Sequence, residues 1–175
     1  MSFFSRLTRS RRELRGVGAD MRALWTCVVE IAREEAWYRE GQVADTVAGR
    51  FDAITMVLAV ALLRMEREDV LHTASTRLTE LFVTDMDGQL RQGGVGDLMV
   101  GKHIAKLMST LGGRIGAIRD ALVVSENAAL EAAIERNVTL VEGGSPAPMA
   151  ALLRGLVRDL DGADAAALLA GRIAR

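Results

Sequence analysis

Hydrophobic positions recur along most of this chain at spacings of three and four, the period of a helix that buries one face. Met21, Leu24, Trp25, Val28 and Ile31 or Ala32 keep that rhythm and predict a first amphipathic helix running toward the pair Trp37-Tyr38. Gly41 and the stretch Asp45 to Gly49 read as a turn, with Asp45 or Thr46 placed to cap the next helix through a side-chain oxygen. In that helix Phe51, Ile54, Leu58, Ala61 and Leu62 share one face, while Ala53, Val57, Val60 and Leu63 fill another. Apolarity all round predicts a central, buried helix.

A third helix carries Leu71, Leu78, Leu81, Phe82, Met86 and Leu90 inward and ends at Gly93-Gly94. Asp97 can cap a fourth, whose Ile104, Leu107, Met108, Leu111, Ile115, Ile118 and Leu122 form a seam, with Lys102, His103, Lys106 and Arg114 on its outer face. Ser125 can open a fifth through Leu130, Ile134 and Val138. A linker at 143–148 then leads to Met149, Leu152, Leu153, Leu156, Val157 and Leu160, and Asp161-Gly162 separates these from Ala165 to Ile173. No segment alternates polar and apolar between hairpin turns, so the expected fold is all-α, a single irregular helical bundle of about six helices with no sheet. Its parts are a basic arm at 1–18, a helical core at 19–124, and C-terminal helices at 125–175 packing on that core.

Composition adds limits. The chain has 175 residues, which suits one domain burying about 70% of its unfolded surface. Lys plus Arg number 22 against 23 for Asp plus Glu, so the overall balance does not mark a DNA-binding protein. Hydrophobic residues reach 50% with only 4% aromatics, and an apolar content made mostly of Ala, Leu and Val favours helices. Cys27 is the single cysteine, which excludes a disulfide within the chain and fits a small hydrophobe beside Leu24 and Ile31. The longest apolar run, Ala53 to Leu63, falls far short of the ~20 residues that cross a bilayer. Phe3-Phe4 is followed at once by Arg6, Arg9, Arg11 and Arg12 in place of a secretory apolar segment. The expected location is the bacterial cytoplasm, peripheral at the inner membrane, with the mitochondrial matrix as the alternative.

Chemistry-bearing patterns are sparse. Gly96, Gly101 and Lys102 have the spacing of a phosphate-binding loop, but His103 stands where a Ser or Thr would hold magnesium, and a helix end precedes it in place of a strand. Asp85 and Asp87 are two apart, which on a helix turns them about 200° from each other and prevents both from facing one ion. His72 and His103 are the only histidines, and neither has a second ligand at helical spacing. No catalytic residue, cofactor or metal is expected. Arg50 begins the most apolar helix and is expected to pair with Asp85 or Asp97 in a polar network that also includes Asp45, Asp52 and Asp87, with a reach outward to a client protein as the alternative. Gly112-x-x-x-Gly116 reads as a place where another helix packs closely. Arg6, Arg9, Arg11, Arg12 and Arg15 form an arm for an anionic membrane or a ribosome, with a solvated tail as the alternative.

Two blocks, WYREGQVADTVAGRFD at 37–52 and DMDGQLRQGGVGDLMVGK at 85–102, together with Gly113-Arg114, resemble the ubiquinol-cytochrome c chaperone family. The chain departs from that pattern at Val57, where the family tends to carry a His, and at Val83 and Leu111-Gly112, where it tends to carry aromatics. The resemblance implies an irregular helical fold and an assembly factor for the respiratory cytochrome bc1 complex. Newly made cytochrome b or another bc1 subunit is the implied client, and mitochondrial members act with a small partner protein. Under that reading Trp37, Tyr38, Gly94, Val95, Gly96, Leu98, Lys102, Lys106 and Arg114 are the expected client or partner contacts. The rivals are a nucleotide-binding switch or enzyme using the Gly96–Lys102 loop, and a general membrane-peripheral scaffold.

Overall fold

The apolar run after Phe51 becomes the helix around which everything else is arranged. The computed structural model describes residues 21–92 and 97–175; residues 1–20 and 93–96, and the side chains of 97–100, lie outside the described residues. Among these residues the helices are α1 Arg22–Ala32, α2 Glu35–Arg39, α3 Val47–Glu66, α4 His72–Gln92, α5 Asp97–Leu122, α6 Ala128–Asn137, α7 Pro146–Gly162 and α8 Ala165–Leu169. Six of them have ten residues or more. The fold is the expected all-α bundle: beyond an isolated antiparallel bridge between Val43 and Leu140, the described residues contain no strand.

Thr46, extended at φ −124° and ψ 168°, starts α3, and its Oγ1 accepts a hydrogen bond from the Gly49 N–H at 3.1 Å. From there Ala53, Met56 to Leu62 and Met65 are all buried, because α1, α4, α5 and α7 all pack against this helix. The amphipathic helices bury one stripe each. Leu24, Val28 and Ile31 do so on α1, Leu78, Phe82 and Met86 on α4, and Leu153, Leu156 and Leu160 on α7. A fully buried side chain of this type contributes about 1.5–3 kcal/mol.

Two helix starts differ from the sequence expectation. Helix α6 begins at Ala128 with Asn127 as its cap residue, not at Ser125. Arg154 of α7 explains the delay: it donates to the Val124 and Glu126 carbonyls, both at 2.9 Å, and to Asn127 Oδ1 at 2.7 Å, holding 124–127 out of the helix. The 143–148 stretch is only partly a linker, since Ser145 Oγ accepts from the Ala147 N–H and Pro146 opens α7. At its far end α7 is closed by Arg64 of α3, whose guanidinium donates to the Leu160 carbonyl at 3.2 Å and the Ala163 carbonyl at 3.0 Å.

The loop before α3 is tied to the segment after α6. Ala44 N–H donates to the Thr139 carbonyl, and Val141 N–H to the Gln42 carbonyl, both at 2.9 Å. Gln42 sits at φ 60°, in the left-handed region, and its side-chain carbonyl accepts from the Ser145 N–H at 2.8 Å. No helix among the described residues is long and apolar enough to cross a membrane.

Candidate functional site

Trp37 and Tyr38 were expected at an open surface, and the structure places them differently. After α1 the chain reverses through Glu34, at φ −56° and ψ 134°, and the short α2 folds back on the end of the helix it follows. Trp37 is only 1% exposed, and its Nε1–H donates to the Ile31 carbonyl at 2.7 Å. Tyr38 is half-buried, with its hydroxyl donating to the Ala32 carbonyl at 2.9 Å. The two rings therefore close carbonyls in the last turn of α1, groups that a helix end leaves without backbone partners. Burial pushes the Tyr38 hydroxyl above its ordinary pKa.

Arg114 was assigned to the outer face of α5, yet it is 6% exposed. Its spacing from Leu111 and Ile118, which are both buried, places it on the seam itself. There it meets Asp52 of α3, with Nη2 donating to Asp52 Oδ1 at 2.5 Å and to the Asn137 carbonyl at 2.6 Å. Nη1 donates to Thr55 Oγ1. The other Asp52 oxygen accepts from Thr139 N–H at 2.8 Å and Thr139 Oγ1 at 2.7 Å. The guanidinium also lies 5.6 Å from the centre of the Phe51 ring. Its Nε is buried without a hydrogen-bond partner among the described residues. This node joins α3, α5 and the exit from α6, and it satisfies a buried carboxylate and most of a buried guanidinium at once.

Arg50 does not enter it. Its Nε bonds Asp45 Oδ1 at 2.6 Å, with side-chain exposures of 64% and 61%, so this pair stands in solvent, away from the buried node. The Asp45 carboxyl is held below its usual pKa by that hydrogen bond. Asp87 pairs with Arg91 one turn along α4 at 2.9 Å, and Asp85 accepts from the Gln89 amide at 3.4 Å. The side chain of Asp97 lies outside the described residues. The expected single network is thus divided: each exposed or half-buried carboxylate takes a partner nearby in the chain, while Asp52 is met by a distant one.

The remaining predicted contacts concentrate on α5. Lys102 and Lys106 are exposed there, while Gly94, Val95 and Gly96, and the Leu98 side chain, lie outside the described residues. Gly101, Ala105, Met108, Ser109, Gly112 and Gly113 share the exposed side of the helix. No described atom lies within 4 Å of where a Cβ would stand on Gly101, Gly112, Gly113 or Gly116. The Gly112-x-x-x-Gly116 pair therefore does not receive another described helix of this chain, although α3, α4 and α6 all contact α5. Gly101 and Lys102 are helical, which removes the loop geometry that a phosphate cradle requires.

Among the described residues, no three His, Cys, Asp or Glu side chains converge as a metal site. Cys27 is half-buried, and burial, with Glu30 and Glu34 adding to it, pushes its thiol pKa up against a smaller opposing effect of Arg175. The balance of these effects disfavours a thiolate.

A model of the ubiquinol-cytochrome c chaperone family matches residues 39–175. A crystal structure described as that of the Cbp3 homolog from Brucella abortus is similar to this chain over 99% of its length and 96% of the other's, at 27% sequence identity and a TM-score of 0.73. A search of curated proteins found no match.

Proposed function

The chain belongs to the ubiquinol-cytochrome c chaperone family, whose role is in assembly of the bc1 complex, and on that premise we propose that it holds newly made cytochrome b along the exposed side of α5. The observation that carries this reading is the exposed side of α5 from Gly101 to Gly113, where no described atom lies within 4 Å of a Cβ on Gly101, Gly112 or Gly113, bordered by Lys102 and Lys106. Small residues let the backbone of a client helix approach closely, and Met108, 38% exposed, can adjust to varied apolar side chains. The two lysines supply charge at one end, where they can engage client carboxylates or nearby lipid phosphates. Trp37 and Arg114 are withdrawn from the client surface: they hold the fold that presents α5.

A photo-crosslinking residue in place of Ser109, used in cells that assemble the complex, tests the proposal. Crosslinks to cytochrome b are expected. They should be lost in Gly112→Leu, a substitution whose Cβ meets no described atom within 4 Å but whose side chain blocks close approach. A folded Ser109 probe that captures no bc1 subunit would move the client surface away from α5.

A further inference from the structure

Between α1 and α4 lies an open groove of about 490 Å3, lined by Arg22, Trp25, Leu81, Thr84, Asp85 and Gln89. Trp25 meets the Phe82 ring edge to face, with centroids 6.0 Å apart at 69°, and remains only half-buried. The groove thus offers an indole and a leucine beside a carboxylate whose bond from Gln89 is long, at 3.4 Å. Such a surface suits a segment that mixes apolar side chains with guanidinium groups.

The chain carries one close at hand. Met21 is anchored in the core at 2% exposure and directly precedes Arg22 at the groove's edge. The preceding residues include Phe3, Phe4 and Leu7 and five arginines, Arg6, Arg9, Arg11, Arg12 and Arg15, against the acidic Glu13 and Asp20. A chain of that length reaches up to about 66 Å when extended, so distance does not limit it. Tethering gives it an effective concentration on the order of millimolar, an advantage that a separate partner lacks. An arginine can bond a carboxylate in fork geometry and also lie over an indole face.

We propose that a segment of residues 1–20 occupies the α1–α4 groove of its own chain, setting an arginine on Asp85 and an apolar side chain against Trp25. This is separate from the client reading of α5, and either can fail alone.

Acrylamide quenching of tryptophan fluorescence tests it, because Trp37 is 1% exposed and contributes little, leaving Trp25 as the reporter. Deleting residues 1–15 should roughly double the quenching. Asp85→Asn in the full chain should raise it in part and make it less sensitive to salt. Equal quenching of the full and shortened chains would overturn the proposal. The full chain also permits a test that needs no deletion: a photo-crosslinker in place of Gln89 should join to residues 1–20 within the monomer. Crosslinks to a second copy only, or to no protein at all, would refute it.

Discussion

At the residue scale, location separates two ion pairs that look alike on paper. Arg114 and Asp52 have side chains 7% and 9% exposed, whereas Arg50 and Asp45 stand in water. Removing one member of a buried pair leaves the other charge stranded, at a typical cost of about 3–5 kcal/mol. Arg114→Met should therefore melt at a much lower temperature than the parent, and Arg50→Met close to it, in parallel thermal scans by circular dichroism. If the two variants exchange that order, the buried node does not carry the stability assigned to it. Cys27 gives a chemical check. Because burial and neighbouring carboxylates disfavour its thiolate, alkylation by iodoacetamide at pH 8 should run slower in the folded protein than in urea. Equal rates would mean that the thiol is open to solvent and electrostatically undisturbed.

At the scale of the elements, the glycines show which helices are constrained by neighbours. A Cβ on Gly49 would fall 1.9 Å from the Ala44 carbonyl oxygen, so the first turn of α3 fits against its own preceding loop only with hydrogen at that position. Gly112, in the middle of α5, meets nothing within 4 Å among the described residues. Gly49→Ala should consequently destabilise the protein and disturb the bridge to 139–141. Gly112→Ala should stabilise it by about 0.5–1 kcal/mol, the usual helix preference for alanine over glycine. Chemical denaturation of both variants measures this contrast. A destabilising Gly112→Ala would reveal packing over α5 that the described residues do not show. The α5 seam itself was readable from spacing, including Arg114 at its centre, had charge not argued for the outer face.

For the whole molecule, α1 lies outside the 39–175 family match, yet it covers one side of α3. Leu24, Val28 and Ile31 are at most 4% exposed. At about 1.5–3 kcal/mol each, three such residues contribute an amount comparable to the 5–15 kcal/mol that holds a typical domain folded. A chain beginning at residue 35 should lose its cooperative thermal transition, with melting followed by circular dichroism. A sharp transition near that of the full chain would make α1 an accessory. Nucleotide should have no such influence: because Gly101 and Lys102 are helical, millimolar ATP is expected to leave the melting temperature unchanged, and a rise would revive the phosphate-loop reading.

Helix type and approximate position were decided by the sequence alone, because the 3.6-residue period is a local property and α3's apolarity on every side could only suit the centre of a bundle. The blocks at 37–52 and 85–102, with Gly113-Arg114, were likewise sufficient to indicate the family. Periodicity states which residues share a face, not what lies opposite. Only the tertiary structure decided that Trp37 turns inward to the end of α1, since that depends on the reversal at Glu34. Only it decided that Arg154 delays α6 and that Asp52 meets both Arg114 and Thr139, groups far apart along the chain. A buried charge must find a partner, but which one it finds is set by how the helices cross, and that geometry belongs to the assembled core.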